Sequence, residues 1–408
     1  MKILLTLPGP LFPPDTGGKI RSLNIFSRLA QKAEIHAVSF ASPTRDATAI
    51  VQMKEIFARY TPVFRTEARK YSSRFYLELL ANQFTSWPYF LAKCNTADFR
   101  RTVGALGCAK SFDLIFCDFL QTAAPLRGLT ALPKVLFEHN VESRLRKRKW
   151  QGEQQPLRRL IYGRECWKTS LIEADVCRSF DHIITVSDED RQTLEREFGV
   201  TRSSTIPTGV DTEFFRPFRE KPQPGRLAFV GSMDWDPNED GAAWFLTDIY
   251  PRIRLAVPNA SFAIVGRRPS PRLRAMAEKH PNVEITGQVP DVRPHLAKAE
   301  VVVVPLRVGG GTRIKIPEAM AMAKAVVSTP IGAEGLPFHD GRQIRIAEQA
   351  DQFARAVVEL LNNVSLRDSI AQAARDEVVN HHGWEPVVAK VEHILEHVAS
   401  QSKHACAA

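Results

Sequence analysis

The chain alternates short, wholly apolar runs with longer stretches in which apolar residues recur every three or four positions. The clearest run is Val301–Val304, four β-branched residues without polar alternation, which predicts a strand buried on both faces. Lys2–Leu7 and residues 34–40, 113–118, 135–137 and 181–187 predict further strands in the first half. Residues 227–230, Ser261–Val265 and residues 283–286 do the same in the second half. Helical spacing lies between them. It is carried by Ile20, Leu23, Ile25, Phe26 and Leu29 early in the chain, and by Ala242, Phe245, Leu246, Ile249 and Ile253 across residues 238–254. Ser187 followed by Asp188 and Glu189 marks a helix start with an N-cap and an acidic first turn. From Asp351 onward the spacing is helical again.

Strand, helix and strand in that order open a doubly wound α/β domain, and the pattern occurs twice. Residues 205–217 carry the turn residues of a linker. The predicted organisation is therefore a first domain over residues 1–215 and a second over 216–385, facing each other across a cleft. Residues 386–408 form a closing segment.

The composition, with 44% hydrophobic and 25% charged residues, is that of a globular chain, and no run reaches the ~18 apolar residues of a membrane span. The N-terminus imitates a signal peptide, but Pro8, Pro10, Pro13 and Pro14 interrupt it and no A-x-A site follows, so a first strand is the better reading. None of the six cysteines forms a C-x-x-C pair, which argues against zinc or redox motifs and for thiols in a reducing cytoplasm. The net charge of +10 changes the picture more, because it is uneven. Residues 1–220 hold 33 Lys and Arg against 24 Asp and Glu, and the remainder 22 against 21. A basic first half points to something anionic facing that domain.

Candidate chemistry concentrates after Val304. Gly309, Gly310 and Gly311 break the strand, Thr312 is placed to cap a following helix, and Arg313 and Lys315 set two cations beside the loop. Bare backbone N–H groups, a helix N-terminus and two cations suit a diphosphate, and Glu318 suits a pair of sugar hydroxyls. A plain turn with solvated cations is the competing reading of the glycines alone. Gly17 and Gly18, after the first strand, read either as a tight turn or as a second ligand loop. His139 ends a predicted strand and is either a satisfied loop histidine or a cleft residue able to handle a proton. Arg144, Arg146, Lys147, Arg148 and Lys149, with Trp150 beside them, read as a solvated helix face or as a peripheral contact with an anionic membrane. No nucleic-acid-binding motif accompanies the basic residues.

G-G-G-T-R-I-K-I-P-E-A-M-A followed by A-V-V-S-T-P-I-G-A-E-G-L resembles the donor-binding segment of retaining glycosyltransferases of family 4 (group 1 type), which have the GT-B fold. The resemblance implies two Rossmann-like domains and a final helix crossing back to the first. It implies transfer of a sugar from a nucleoside-diphosphate donor to an acceptor hydroxyl, with retention, and no metal or other cofactor. By the same resemblance Glu318 binds the ribose, while Arg313, Lys315 and His139 are the catalytic group. Gly17, Gly18, Gly231, Ser232, Gly309, Gly310, Gly311 and Thr312 then line the donor. The chain departs from the pattern twice. Gly310 stands where the family has the first of two glutamates, and S-M-D-W-D-P-N-E-D follows Gly231 where the family often has Arg and Lys. Arg313 and Lys315, helped by Arg267 and Arg268, would then supply the positive charge. P-P-D-T-G-G, F-E-H-N-V-E-S and G-S-M-D-W-D-P-N further resemble transferases of bacterial exopolysaccharide clusters, some tied to PEP-CTERM/exosortase sorting. The expected partners are a nucleotide sugar and a lipid-linked or saccharide acceptor, at the inner face of the plasma membrane. A GT-B-shaped epimerase and a non-catalytic assembly subunit are the alternatives.

Overall fold

The computed structural model describes residues 1–66, 72–108, 111–308 and 313–405. The chain separates into two compact units, Met1–Pro207 together with Val388–Ala408, and Thr208–Val387. The sequence expectation sets the first division at residue 215; in the structure it falls between Pro207 and Thr208, near the start of the predicted 205–217 linker.

The first unit is built on a seven-stranded, wholly parallel sheet. Its strands are β1 (Lys2–Leu7), β2 (Glu34–Ala41), β3 (Arg59–Phe64), β4 (Leu114–Asp118), β5 (Lys134–Glu138), β6 (His182–Thr185) and β7 (Ser203–Thr205), in the order β3-β2-β1-β4-β5-β6-β7. Parallel strands covered by helices on both faces bury nearly every side chain, which is why β1, β4 and β5 read as largely apolar runs, while β2 buries His36 and Ser39 among its apolar residues. Leu4, Val38, Ile115, Cys117, Leu136 and Ile183 feed one core cluster. On the other face Phe26 meets Phe116 edge-on, and Phe116 stacks on Phe137.

The second unit has a six-stranded parallel sheet of β8 (Arg226–Val230), β9 (Ser261–Val265), β10 (Val283–Gly287), β11 (Val301–Val304), β12 (Ala325–Ser328) and β13 (Arg345–Ile346). Its order is β10-β9-β8-β11-β12-β13. The predicted helix over residues 238–254 is interrupted. Helix Asp236–Trp244 passes through a π turn at Phe245–Ile249 into helix Tyr250–Ala256. Pro251 explains the break: it has no N–H to donate and its ring crowds the carbonyl of the preceding turn, so the ladder widens there.

The strand order of each sheet reverses once, between β1 and β4 and between β8 and β11. In open α/β sheets such a switch point opens a crevice beyond the carboxyl ends of the strands. The predicted site residues that the structure describes lie on loops or in first helical turns that follow strand ends of these two sheets. The terminal helix, Trp384–Ala405, begins in the second unit and continues into the first, where Glu392 pairs with Lys32 at 2.8 Å.

Candidate functional site

In the first unit the carboxyl ends of β1, β4 and β5 bring four groups together. Gly17 is not the end of a loop but the first residue of helix Gly17–Leu29, capped by Thr16, whose hydroxyl accepts from the Lys19 N–H. Gly18 lies against Phe119 and His139: a Cβ there would stand 2.8 Å from Phe119 Cζ and 3.8 Å from His139 Nδ1. Phe119 sits at φ 72 and ψ 149, a region that side-chain-bearing residues avoid at a cost of order 1–3 kcal/mol. That backbone lays its ring flat on the His139 imidazole, with centroids 3.8 Å apart and 8° between planes.

His139 itself is buried. Its Nε2 is 2.7 Å from Asp118 Oδ1, and Asp118 Oδ2 accepts from the Ser22 hydroxyl at 2.7 Å. A carboxylate that only accepts assigns the proton to Nε2. This leaves Nδ1, which has no partner among the described residues, with a free lone pair on the Gly18 side. Burial holds the His139 pKa below its ordinary value, with Arg21 adding to the effect and Asp118 opposing it. Neutral imidazole is the resting form.

Arg21 is a residue that sequence reasoning missed. Its guanidinium is fully buried, lies 5.7 Å over the Phe137 ring, and makes no hydrogen bond among the described residues. Burial lowers its pKa to about 9 against the pull of Asp118 and Asp190. A signal existed: Arg21 shares the helical arc of Ile25 and Leu29, a cation on the face that must pack inward. Asp118 could have been found by the reasoning that selected His139, since each ends a central strand.

Behind His139 lies a buried carboxylate cluster. Glu173 accepts from the Glu142 N–H at 2.5 Å and the Ser143 N–H at 3.0 Å, capping helix Glu142–Gly152 from a neighbouring helix. Glu138 adjoins it and takes a hydrogen bond from the Cys177 thiol at 3.3 Å. Burial, then Glu173, pushes the Glu138 carboxyl well up, and burial raises Glu173 as well.

In the second unit the β8, β9 and β11 ends converge. Lys315 Nζ donates to Asn238 Oδ1 at 2.6 Å, Asn238 Nδ2 donates to the Ser232 carbonyl at 2.8 Å, and the ammonium lies 4.6 Å over the Phe229 ring. A Cβ at Gly231 would fall 2.7 Å from Asn238 Nδ2 and 2.9 Å from Lys315 Nζ, so any side chain there would displace these two groups. Burial lowers Lys315 to about 7, with Arg313 adding and Glu318 opposing. Burial raises Glu318 to about 8, against the pull of Lys315.

The expected helpers do reach this loop. Arg267 Nε donates to Ser232 Oγ at 2.7 Å, and Arg267 and Arg268 stand 3.6 and 3.3 Å from Asp234. Arg313 is buried and pairs with Glu334 at 3.2 Å, so its charge is shared with a carboxylate that the sequence reading did not assign. Helix Lys315–Ala321 starts at Lys315 with Ile314 at the cap position. Gly309, Gly310, Gly311 and Thr312 lie outside the described residues. Among the described residues no group of His, Cys, Asp and Glu could hold a metal ion.

Residues 23–214 match the family model described as Glycosyltransferase Family 4, and residues 224–363 the model described as Glycosyl transferases group 1. The chain carries a family 4 glycosyltransferase domain followed by a group 1 glycosyltransferase domain. Its two parallel sheets are the two Rossmann-like halves of the GT-B fold. This glycosyltransferase is 23% identical over 274 residues to an uncharacterized 44.6 kDa protein in the cps region of Klebsiella pneumoniae, covering 64% of this chain and 69% of that protein. Among solved structures it is similar to a sucrose-phosphate synthase from Thermosynechococcus elongatus, with TM-score 0.71, 15% identity, and 98% and 100% of the two chains covered. Anabaena HepE, in complex with UDP and glucose, matches with TM-score 0.66, 14% identity, and 97% and 99% covered.

Proposed function

We propose that the enzyme moves a hexosyl or related sugar from a nucleoside diphosphate to an acceptor hydroxyl, with retention, in bacterial exopolysaccharide or glycolipid synthesis. The bond from the anomeric carbon to the diphosphate oxygen breaks, a bond to the acceptor oxygen forms, and the acceptor proton leaves with the diphosphate. Met by cations in a water-poor site, the diphosphate is a good leaving group, and no metal is needed for that step.

The observation that carries this reading is the Lys315 ammonium held by Asn238 against Gly231, where a Cβ would displace both groups. It is a cation beside bare backbone, which suits phosphate oxygens. Arg267 and Arg313 add charge, Glu318 anchors the ribose, and His139 offers Nδ1 to a sugar hydroxyl. Retention rests on the resemblance to retaining family 4 enzymes. UDP in the HepE structure favours a uridine donor, and the cps-region relative favours a polysaccharide or lipid-linked acceptor at the inner membrane face.

The test is the thermal shift of the purified protein with UDP, GDP, ADP and TDP, each with and without EDTA. A ligand that binds only the native state stabilises it by roughly 2.7 kcal/mol at a hundredfold excess over Kd. One nucleotide standing out, insensitive to EDTA and abolished in Lys315→Ala, is the expected result. A flat response to all four counts against the donor pocket.

A further inference from the structure

Two helices of the first unit, Ser73–Asn82 and Pro156–Ser179, are tied where they meet. Arg164 Nε donates to the Gln83 carbonyl at 2.8 Å, and the buried Lys168 ammonium donates to the Asn82 carbonyl at 2.8 Å. Each helix spends its inward side on such contacts: Phe75 and Glu78 reach Tyr89, while Glu165, Thr169, Ile172 and Val176 are buried. The outward sides are not polar. Tyr76, Leu77, Leu80 and Phe84 follow one another at helical spacing, and Phe84 is 85% exposed. Leu157, Leu160, Trp167 and Leu171 form a second stripe, with Arg164 in the gap, and are 71, 71, 60 and 54% exposed. Single exposed apolar residues need no explanation, but two aligned stripes joined at Arg164 and Gln83 mark an interaction surface.

Charge says what covers it. Residues 142–168 hold nine Lys and Arg against three Asp and Glu. Part of that charge is already used inside the protein. Arg144 reaches Glu189 at 2.8 Å, Arg146 lies 4.0 Å over Phe90, and Lys149 lies 4.5 Å over Tyr162. Arg158 and Arg159 stand exposed in the same helical turn as Leu157 and Leu160, flanking the stripe, and Lys147 is exposed on the neighbouring helix. Pairing this face with a second copy would bring two basic clusters together. An anionic bilayer answers both features, with leucines and tryptophan at the acyl boundary and arginines on headgroup phosphates. No helix among the described residues is long and apolar enough to cross a membrane, so the contact is peripheral.

We propose that the Tyr76–Phe84 and Leu157–Leu171 stripes form a bilayer-docking face, anchored on anionic lipid by Arg158 and Arg159 rather than by the Arg144, Arg146 and Lys149 side chains. This deepens the proposed membrane-surface acceptor chemistry and rests on that reading for its purpose, but binding is measured without turnover, so the two fail separately.

The test is flotation of the full chain with vesicles of phosphatidylcholine alone and of phosphatidylcholine with phosphatidylglycerol. The wild type is expected to float with the anionic vesicles and at least about tenfold less with the neutral ones. Leu160→Ser with Trp167→Ser should lower anionic-vesicle binding by at least about tenfold, with circular dichroism and the nucleotide-induced thermal shift unchanged. Arg158→Glu with Arg159→Glu should abolish the preference for anionic lipid. Wild type left unfloated, or a double variant that floats like wild type, overturns the proposal. So does light scattering that shows a wild-type dimer turned monomeric by Leu160→Ser with Trp167→Ser, which assigns the face to a second copy. A flat nucleotide response with intact flotation leaves the docking face standing and counts against the donor reading.

Discussion

Asp118 and His139 end adjacent strands, β4 and β5, and their side chains meet at 2.7 Å in a setting closed by the Phe119 ring. The bond fixes which imidazole nitrogen keeps its lone pair, and so what the ring offers a substrate. Asp118→Asn keeps the shape but replaces one acceptor-only carboxylate with an amide that can also donate. The imidazole loses its enforced tautomer. The expected outcome is a fall in kcat of about 10²-fold with donor affinity nearly intact. Nitrogen chemical shifts of His139 would report the tautomer directly, and an unchanged spectrum would show that Asp118 does not set it.

Gly231→Ala is expected to remove nucleotide binding at a modest cost in stability. The added Cβ cannot share space with Asn238 Nδ2 and Lys315 Nζ, so the ammonium must move. The measurement is the thermal shift with and without nucleotide. The free protein should melt slightly lower, and the ligand-induced rise should disappear.

Lys315 gives the donor site a pH dependence whose sign is determined. Its pKa is lowered to about 7 in the free protein, so the cation is present below that pH and lost above it. A diphosphate binds the charged form better. Affinity should therefore weaken as pH rises from about 6 to about 8, by up to about tenfold per unit above the pKa. Isothermal titration across that range checks it, and Lys315→Arg should flatten the profile, because guanidinium stays charged.

The carboxylate cluster behind His139 makes stability fall as pH rises. Glu142 is pushed up to about 7, mainly by burial, from an ordinary value near 4.5. Between those values the folded chain holds a proton that the unfolded chain has released, so the stability of the fold declines across that window. The contribution is at most on the order of 3 kcal/mol. Glu142→Gln should remove that part of the slope in urea titrations at pH 5 and pH 8, where about equal slopes in variant and wild type would contradict the assignment.

The β-branched run Val301–Val304 and the apolar residues of β1, β4, β5, β8 and β9 declare their strands, because a parallel strand buried on both faces leaves no place for polar residues. β3 is different: Arg59–Phe64 has exposed ends and a proline at an edge of the sheet, so nothing in its pattern separates it from a loop. Gly18, Gly231, His139, Arg267 and Lys315 were legible because loops after strand ends are where an α/β sheet opens, and residues of those types there suit an anionic ligand. What the linear order does not contain is the partner of each polar group. Asp118 and His139 lie 21 positions apart, Asn238 and Lys315 lie 77, and Arg313 and Glu334 lie 21. Each pair exists because the strand order sets distant strand ends side by side, β4 by β5, β8 by β11 and β11 by β12, and because a buried donor or acceptor must find a partner once water is gone. The doubly wound α/β fold and the positions of the candidate residues are thus written in local pattern. Tautomer, charge sharing, pKa values and the exposed apolar face of Leu157, Leu160 and Trp167 arise only in the tertiary structure, where burial and proximity are decided.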